Sequence, residues 1–312
     1  MNNLSFRPDG TFTIVQFTDL HWSETEHDKR TALLMKDILH NIRPDLVLFT
    51  GDVIHYEDCP DPVTAYSHAV AAVIEAGVPW AAVFGNHDAG HSLSVKHELL
   101  RLQQASPHCL TEEGPELGNR LGHTVILLHS AEEAPSAALY LFDSGSNAVH
   151  PPGGFEWITQ GQIAWYLEHS AALAEANNGQ SVPSLAFLHI PLPEYNELWD
   201  YNVCYGHNYE GMGCAKVNSG LFAAFVERQD VKGVFCGHDH VNDFWGELHG
   251  IRLHYGRATG YNSYGREGFP RGTRVIQLRE NGAAFSSWLM LEDGEVQLTQ
   301  PEHQPEKVWK RI

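Results

Sequence analysis

The pattern of this chain is clearest in Leu46-Val47-Leu48-Phe49-Thr50-Gly51-Asp52, an apolar run that ends in a glycine and a carboxylate. Short runs of β-branched, large apolar and aromatic residues are typical of buried strands. The same pattern occurs four more times, each time with a metal-competent side chain directly after the apolar run. These further runs lie at 12–17, 80–84, 185–188 and 231–236. The sequence therefore predicts five buried strands, each followed by a loop that begins with a side chain able to bind a metal.

Helical patterns lie between and beside these strands. Arg30 to Ile42 and Val63 to Ala76 carry apolar residues three and four positions apart, and Gly77 supplies a stop signal for the second. Two more helices are predicted over 160–176 and 219–228. Strands that alternate with helices predict an α/β fold in which helices cover the sheets. In such folds ligands bind at the carboxyl ends of the strands, where the polar loops of this chain fall.

The last third of the chain is richer in short strands. They are predicted over 243–247, 251–255, 273–278 and 284–290, with Gly and Asn in the turns. The segments 111–122 and 196–217 are Gly-rich and lack periodicity, so we expect loops that wall an active site. No repeat or linker divides the sequence. We therefore predict a single domain over 1–312, with 301–312 as a polar tail.

Composition limits the classes of partner. The chain has 312 residues, is 43% hydrophobic and carries 20 Lys and Arg against 39 Asp and Glu, for a formal net charge of -19. Nucleic acids and anionic membranes are bound mainly through Lys and Arg, so neither partner is expected. The five cysteines form no CxxC pair, which disfavours a disulfide framework. The first ten residues lack the apolar run of a signal peptide, so we expect a cytoplasmic protein.

The strand-end residues form a set that suits transition metals. Its seven members are Asp19, His21, Asp52, Asn86, His189, His238 and His240. Mixed oxygen and nitrogen ligands without a thiolate favour Mn, Fe or Zn over Ca. One metal needs three or four ligands, so seven predict two metals that share a carboxylate, with Asp52 as the natural bridge. Asp19 and His21 are two residues apart, as are His238 and His240, so each pair projects the same way if its backbone stays extended.

Five sequence blocks resemble the signature of the calcineurin-like metallophosphoesterases, and they occur in the order of that family. The blocks are Asp19-Leu20-His21, Gly51-Asp52, Gly85-Asn86-His87-Asp88, His189 and Gly237-His238-Asp239-His240. The resemblance implies a four-layer αββα sandwich with a dinuclear metal site at the carboxyl ends of the strands. Two such metals, about 3.5–4 Å apart, clamp the attacking and leaving oxygens of a phosphoryl group.

The resemblance also implies a role for each residue. Asp19, His21, Asp52 and His240 would hold the first metal, and Asp52, Asn86, His189 and His238 the second. Asp52 and a hydroxide would bridge the two metals, and the hydroxide would attack the phosphorus in line. His87 would face the substrate and donate a proton to the leaving oxygen. Asp88 would hold the His87 ring.

The second half of the chain resembles a narrower branch, that of the Dcr2-type phosphatases and their plant purple-acid-phosphatase-like relatives. The residues that carry this resemblance are 189–195, 217–222, 237–244 and 260–265. True purple acid phosphatases take an iron-ligating Tyr three residues after the bridging Asp, where this chain has His55, and they lack a counterpart of His21. The purple colour of Fe(III) is therefore not expected.

Each candidate residue also has a structural interpretation. Asp19, Asp52 and Asp88 are good helix caps, and His189 could be a hydrogen-bonded core histidine. A weaker set of residues could line the pocket or simply pack the loops. It comprises His55, His207, Asn208, Tyr261, Asn262 and Tyr264.

We predict a metal-dependent phosphoesterase, with phosphomonoesters favoured and a phosphorylated small molecule or phosphoprotein as the substrate. Diester hydrolysis on cyclic nucleotide or nucleotide-type substrates is the alternative, because the same ligand set serves both reactions. A non-catalytic binding scaffold is the alternative of another class. Such scaffolds have lost metal ligands, whereas none of the seven is missing here.

Overall fold

The structure is a computed structural model that describes residues 4–130, 134–280, 285–305 and 307. Its helices are α1 (Glu26–Ile42), α2 (Pro62–Ala76), α3 (Asn86–Ala89), α4 (Leu93–Ala105), α5 (Gln160–Ala176), α6 (Glu194–Tyr201) and α7 (Leu221–Arg228), with a 3-10 turn at Tyr56–Asp58. Its strands are β1 (Leu4–Ser5), β2 (Thr11–Phe17), β3 (Leu46–Thr50), β4 (Trp80–Val83), β5 (Thr124–His129), β6 (Pro135–Leu141), β7 (Ser184–Phe187), β8 (Cys204–Tyr205), β9 (Val231–Cys236), β10 (Trp245–Leu248), β11 (Ile251–Tyr255), β12 (Gly272–Arg279), β13 (Phe285–Leu291), β14 (Val296–Gln297) and β15 (Glu302–His303).

The strands form two sheets. One has the order β1-β5-β6-β7-β9-β11-β10-β8-β15, and the other has the order β14-β13-β12-β2-β3-β4. Within the second sheet β2, β3 and β4 are parallel neighbours. Within the first, β6, β7, β9 and β11 are parallel neighbours. The carboxyl ends of parallel strands therefore meet at a common edge of each sheet.

Three hydrophobic cores show that the fold has four layers. The first core lies between the sheets and includes Ile14 and Leu48 of one sheet with Leu139 and Phe187 of the other. A second core packs α1, α2 and α4 onto the outer face of the β2–β3–β4 sheet. The third packs α5, α6 and α7 onto the outer face of the other sheet. This αββα arrangement confirms the predicted fold.

Burial on both faces explains the continuous apolar runs. In β3, Leu46 and Leu48 belong to the core between the sheets, whereas Val47 and Phe49 face the helices. Successive side chains of a strand point to opposite faces, so a strand covered on both sides needs apolar residues at every position. A simple alternation of polar and apolar residues is accordingly missing from these strands.

Most predicted elements are found, with differences at their ends. The first helix begins at Glu26 rather than Arg30, because Thr25 and Asp28 form a reciprocal cap. Gly77 ends α2 in the left-handed conformation, as predicted. The segment 196–217 was predicted as a loop and this was wrong in part, since most of α6 and all of β8 lie within it.

The late strands also shift slightly. The strand predicted over 243–247 is Trp245–Leu248, and the one predicted over 284–290 begins at Phe285, with residue 284 outside the described part. Residues 306 and 308–312 of the predicted tail lie outside it as well. The single domain over 1–312 stays a prediction. No helix in the described part of the chain is long and apolar enough to span a membrane.

Candidate metal centre

The structure brings all seven candidate ligands to one place, where the carboxyl ends of the parallel strands of both sheets lie side by side. Asp19, Asp52 and Asn86 follow β2, β3 and β4, while His189, His238 and His240 follow β7 and β9. The potential ligands form two groups, and within each group the ligand atoms lie within 4.8 Å of one another. The first group is Asp19, His21 and His240, and the second group is Asp52, His189 and His238. Asn86 joins the second group, because its Oδ1 lies 3.0 Å from Nε2 of His189.

Asp52 belongs to the second group and also approaches the first. Its Oδ2 is 3.5 Å from Nε2 of His21 and 3.1 Å from Nε2 of His189. Its Oδ1 accepts a hydrogen bond of 2.7 Å from the backbone amide of His87. One carboxylate oxygen therefore faces both groups, which is the geometry that a shared ligand requires.

Four of the candidate ligands have left-handed backbone conformations. The φ angles are 56° at Asp19, 47° at His21, 50° at Asp52 and 80° at His238. Residues other than glycine seldom adopt this region, and such strain is found mainly at functional sites. The expectation that Asp19 and His21 converge along an extended backbone was wrong. The chain turns at each of them, and their amides bond to the Gly51 and Asp52 carbonyls at 3.1 and 2.9 Å.

The glycines before Asp52 and Asn86 allow the loops to approach closely. A Cβ at Gly51, where φ is +90°, would lie 2.5 Å from Nδ1 of His189. A Cβ at Gly85 would overlap the Asp52 carboxylate. Any larger residue would push apart the loops that bring the two sheets together at the centre. The glycines of the Gly51-Asp52 and Gly85-Asn86 pairs are therefore required for steric reasons.

Burial and the neighbouring charges control the electrostatics of the centre. Burial alone would raise the pKa of Asp52, but His189 and His21 hold it well below its usual value. Burial alone would lower the pKa of His189, but the Asp52 carboxylate raises it to about 10. Burial lowers the pKa of His21 and of His238 to about 3 in each case. The centre thus combines ionised carboxylates with neutral rings at His21 and His238, and its carboxylates favour a positive charge at His189 between them.

The ring orientations suit metal ions. Nδ1 of His189 lies 2.8 Å from the Thr50 carbonyl, which fixes this nitrogen as a donor and directs Nε2 toward the second group. Nε2 of His21 and Nε2 of His240 face each other at 3.1 Å. Nδ1 of His238 lies 3.2 Å from Nε2 of His189. Buried acceptors that converge in this way fit cations, and the donor set is that of transition metals.

His87 and His55 lie beside the first group. The His87 ring is 5.1 Å from that of His21 and 4.4 Å from that of His55, between ring centroids. The His55 ring is 5.6 Å from that of His21. His55, a weak candidate from the sequence, therefore shares the mouth of the centre with His87.

Asp88 has a different role from the one expected. Its carboxylate accepts hydrogen bonds from the backbone amides of Gly85, Asp52 and Ile54 at 2.7, 3.0 and 3.0 Å. It caps α3 and ties the Asp52 loop to the Asn86 loop. The expectation that it holds the His87 ring is corrected, because among the described residues its hydrogen bonds go to these three backbone amides and not to that ring.

The remaining sequence candidates divide into two sets. Tyr264 stacks on His240, with ring centroids 4.2 Å apart, and so borders the centre. Asn262 instead bonds to Thr25 and Asp28 at the start of α1. Tyr261 bonds to Glu292. The amide of His207 and the side chain of Asn208 bond within the loops around Asp243 and Met212.

Sequence reasoning missed three residues near the centre. The Phe155 ring meets that of His238 edge-on at 4.3 Å. The Ser144 hydroxyl accepts a hydrogen bond of 2.9 Å from the amide of Ile190, next to His189. The Ser146 hydroxyl donates to the Asn86 carbonyl at 3.4 Å. The segment 143–146 carries no motif, and only its position after a buried strand could have drawn attention to it.

The two expected wall segments lie in different places. Gly213, in segment 196–217, lies so close to His238 that a Cβ there would be 2.8 Å from the ring. In segment 111–122, Leu121 donates to Asp143 and the Asn119 carbonyl accepts from Lys96 of α4. Segment 196–217 therefore borders the second group of ligands, while segment 111–122 packs against α4.

The family model of the calcineurin-like phosphoesterases matches residues 12–242, a range that contains all seven candidate ligands. The chain belongs to this family. A relative within the phosphoesterase family, from Arabidopsis thaliana, is named probable inactive purple acid phosphatase 29. It is 32% identical over 315 residues, which cover 91% of this chain and 81% of the relative.

The chain is also similar to a yeast phosphatase in sequence and to a solved phosphatase structure in fold. Phosphatase DCR2 of Saccharomyces cerevisiae is 31% identical over 269 residues, which are 76% of this chain and 45% of the yeast protein. A dimetal phosphatase from Danio rerio has a similar structure, with a TM-score of 0.59 and 15% sequence identity. The match covers 90% of this chain and 99% of that one, and at this identity it supports the fold alone.

Proposed function

We propose that this phosphoesterase hydrolyses a phosphate monoester at a dinuclear metal centre formed by the first and second groups. The observation that carries the proposal is the position of Asp52, whose Oδ2 faces His21 of one group and His189 of the other. A single metal site would not need a carboxylate oxygen that faces histidines of two separate groups. Under this proposal the substrate is a phosphorylated small molecule or a phosphoprotein.

The residues divide the work by position. Metal ions held here would neutralise charge on the phosphoryl oxygens and lower the pKa of a water nucleophile. Asp52 keeps the two ligand sets at a fixed spacing, and its bond to the His87 amide fixes the His87 backbone. The His87 ring, half-buried beside His21, is placed to give a proton to the leaving oxygen. No side-chain nucleophile is needed, so no phosphoenzyme forms.

The proposed centre is complete, which bears on the non-catalytic alternative. Three relatives from Arabidopsis thaliana, 30% to 33% identical, carry the name probable inactive purple acid phosphatase. A chain that had lost catalysis would not need to retain seven ligands, six of them buried, and four strained backbones. The completeness of the two groups therefore supports an active centre in this chain.

The diester alternative has its own support. A relative from Psychrobacter arcticus, 28% identical over 122 residues and covering 33% of this chain, is named probable cyclic nucleotide phosphodiesterase. We favour the monoester because the name of the yeast relative, which covers more of the chain, is that of a phosphatase.

Paired chromogenic substrates test the proposal. Metal-stripped protein is refilled with Mn²⁺, Zn²⁺ or Fe²⁺ and assayed with p-nitrophenyl phosphate and bis-p-nitrophenyl phosphate. The expected result is metal-dependent hydrolysis with a higher kcat/KM for the monoester. A higher kcat/KM for the diester would favour the alternative reaction. No hydrolysis of either substrate with two metal equivalents bound would favour the non-catalytic binding scaffold.

A further inference from the structure

Two aromatic side chains lie against the two histidines of the loop after β9. The Phe155 ring meets His238 of the second group at 4.3 Å, and the Tyr264 ring stacks on His240 of the first group at 4.2 Å. We call Phe155 and Tyr264 the aromatic rim. They reach the same loop from distant parts of the sequence, so each half of the centre has one aromatic neighbour.

Tyr264 is held firmly although it is exposed. Its hydroxyl donates to Oε2 of Glu210 at 2.6 Å, and the other oxygen of Glu210 accepts from the Val241 amide at 2.8 Å. The Arg271 guanidinium donates to the carbonyls of Ser263 and Tyr264 at 2.9 and 2.8 Å. Even so, 55% of Tyr264 is exposed to solvent. One face of the ring covers His240, and the exposed remainder is fixed in advance of any contact.

Phe155 is fixed by the hairpin that it ends. Asn147 pairs with Phe155, and the Ala148 amide bonds to the Gly154 carbonyl at 2.8 Å. The Lys216 ammonium bonds to the Pro152 carbonyl at 2.9 Å and joins the hairpin to the segment that carries Gly213. The Phe155 ring remains half-buried at the end of this hairpin.

The position of the rim relates it to the organic part of a substrate. A phosphoryl group at the centre would contact the two ligand groups, and the alcohol part would extend from it past the side chains that border the centre, Phe155 and Tyr264 among them. We propose that the aromatic rim binds a planar ring of the substrate, and that the substrate class is phosphoesters with an aromatic ring close to the ester oxygen. This inference rests on the proposed function and names its substrate class.

The expected size of the preference follows from aromatic contacts. Offset-stacked and edge-to-face pairs contribute about 0.5–1.5 kcal/mol beyond area burial, which corresponds to about a two- to tenfold preference. A saturated ring of similar size buries a similar apolar area but lacks the flat face. The rim therefore predicts discrimination by planarity rather than by size.

The test compares benzyl phosphate with cyclohexylmethyl phosphate, measured by phosphate release from the metal-loaded protein. Both are esters of primary alcohols with rings of similar size, so their leaving groups differ little in reactivity. The expected kcat/KM is about two- to tenfold higher for benzyl phosphate. Tyr264→Leu and Phe155→Leu are expected to bring this ratio toward one. The ratio is the readout because a general disturbance of His240 or His238 would slow both substrates together.

Tyr209→Leu is the matched control. Tyr209 is a neighbouring tyrosine, 42% exposed, that packs against His207 and Phe269 rather than a candidate ligand. Its substitution should leave the ratio unchanged. A wild-type ratio near one, or a ratio unaffected in both rim variants, would overturn the inference while leaving phosphatase activity in place. Absence of hydrolysis of p-nitrophenyl phosphate with two metal equivalents bound would overturn the proposed function and this inference with it.

Discussion

Oδ2 of Asp52 lies 3.1 Å from Nε2 of His189, although the two residues follow strands of different sheets. The contact therefore joins a loop of one sheet to a loop of the other. The complete centre therefore forms only when the two sheets are packed together, and full metal binding indicates that this packing is intact. The same carboxylate also faces His21, so its loss should affect both groups.

Replacement of Asp52 tests the shared-ligand assignment. Asp52→Ala should remove bound metal and reduce phosphatase activity to background, because both groups lose a ligand. Metal content by inductively coupled plasma mass spectrometry and phosphate release are measured on the same sample. Asp37→Ala, an exposed position on α1, is the control. Full metal content and activity in Asp52→Ala would show that the assignment is wrong.

Replacement of His87 separates catalysis from metal binding. His87→Ala should lower kcat by about 10²- to 10⁴-fold, the usual contribution of a positioned proton donor. The metal content should stay at the wild-type level, because His87 belongs to neither ligand group. His91→Ala, at an exposed position, is the control. A variant with wild-type kcat would remove His87 from the mechanism.

Ser144 should act on the second group alone. Its hydroxyl supports the Ile190 amide beside His189, and the following Ser146 bonds to the Asn86 carbonyl. Ser144→Ala should weaken binding of one metal equivalent by about 10- to 100-fold, as loss of a supporting hydrogen bond does. A titration of bound Mn²⁺ measures this.

The control for Ser144 is Ser184→Ala. Ser184 is a buried serine on β7 whose hydroxyl bonds to the Val182 carbonyl, away from the ligands. It should bind both equivalents as the wild type does. Equal weakening of both equivalents in Ser144→Ala would indicate a general structural effect instead of support for the second group.

His254 is a site where substitution should stabilise the protein. Neither ring nitrogen has a hydrogen-bond partner among the residues that the structure describes, and the ring is stacked between Phe235 and Trp245 at 4.7 and 5.4 Å. An unsatisfied buried polar group costs about 1–3 kcal/mol. His254→Phe should therefore raise the free energy of unfolding and the Tm measured by calorimetry. A lower Tm would show that the ring makes a favourable interaction that these contacts do not account for.

The same substitution should change the pH dependence of stability. Burial holds the pKa of His254 well below its ordinary value of 6.5, so the folded protein keeps the ring neutral. The unfolded chain protonates this ring as the pH falls below about 6.5, and stability decreases with it. His254→Phe should remove that part of the decrease. An unchanged slope of the unfolding free energy below this pH would contradict the assignment.

The strands and the order of the ligands could be predicted because they depend on local patterns. A short apolar run such as Leu46–Phe49, followed by a glycine, is typical of a strand buried on both faces, and Gly51 marks the turn that follows it. The left-handed backbones of Asp19 and His21 could not be predicted. They are imposed by bonds to the Gly51 and Asp52 carbonyls, which belong to the neighbouring strand end.

The surroundings of the centre depend on contacts between distant segments. Phe155 and Tyr264 are distant in sequence from His238 and His240, respectively, and contact them only in the folded chain. Asp88 follows His87 directly in sequence, which suggested that the two interact. The turn at Gly85 instead directs its carboxylate to the amides of Asp52 and Ile54. Sequence spacing predicts which residues share a strand end, but tertiary contacts determine which atoms meet.

The most direct test of the central claim is a titration of metal-stripped protein with Mn²⁺, in which bound equivalents and hydrolysis of p-nitrophenyl phosphate are followed together. The account predicts that two equivalents bind per chain and that hydrolysis requires the second, because both groups must be filled around Asp52. Two bound equivalents without hydrolysis, or full hydrolysis with one equivalent, would contradict a dinuclear phosphoesterase.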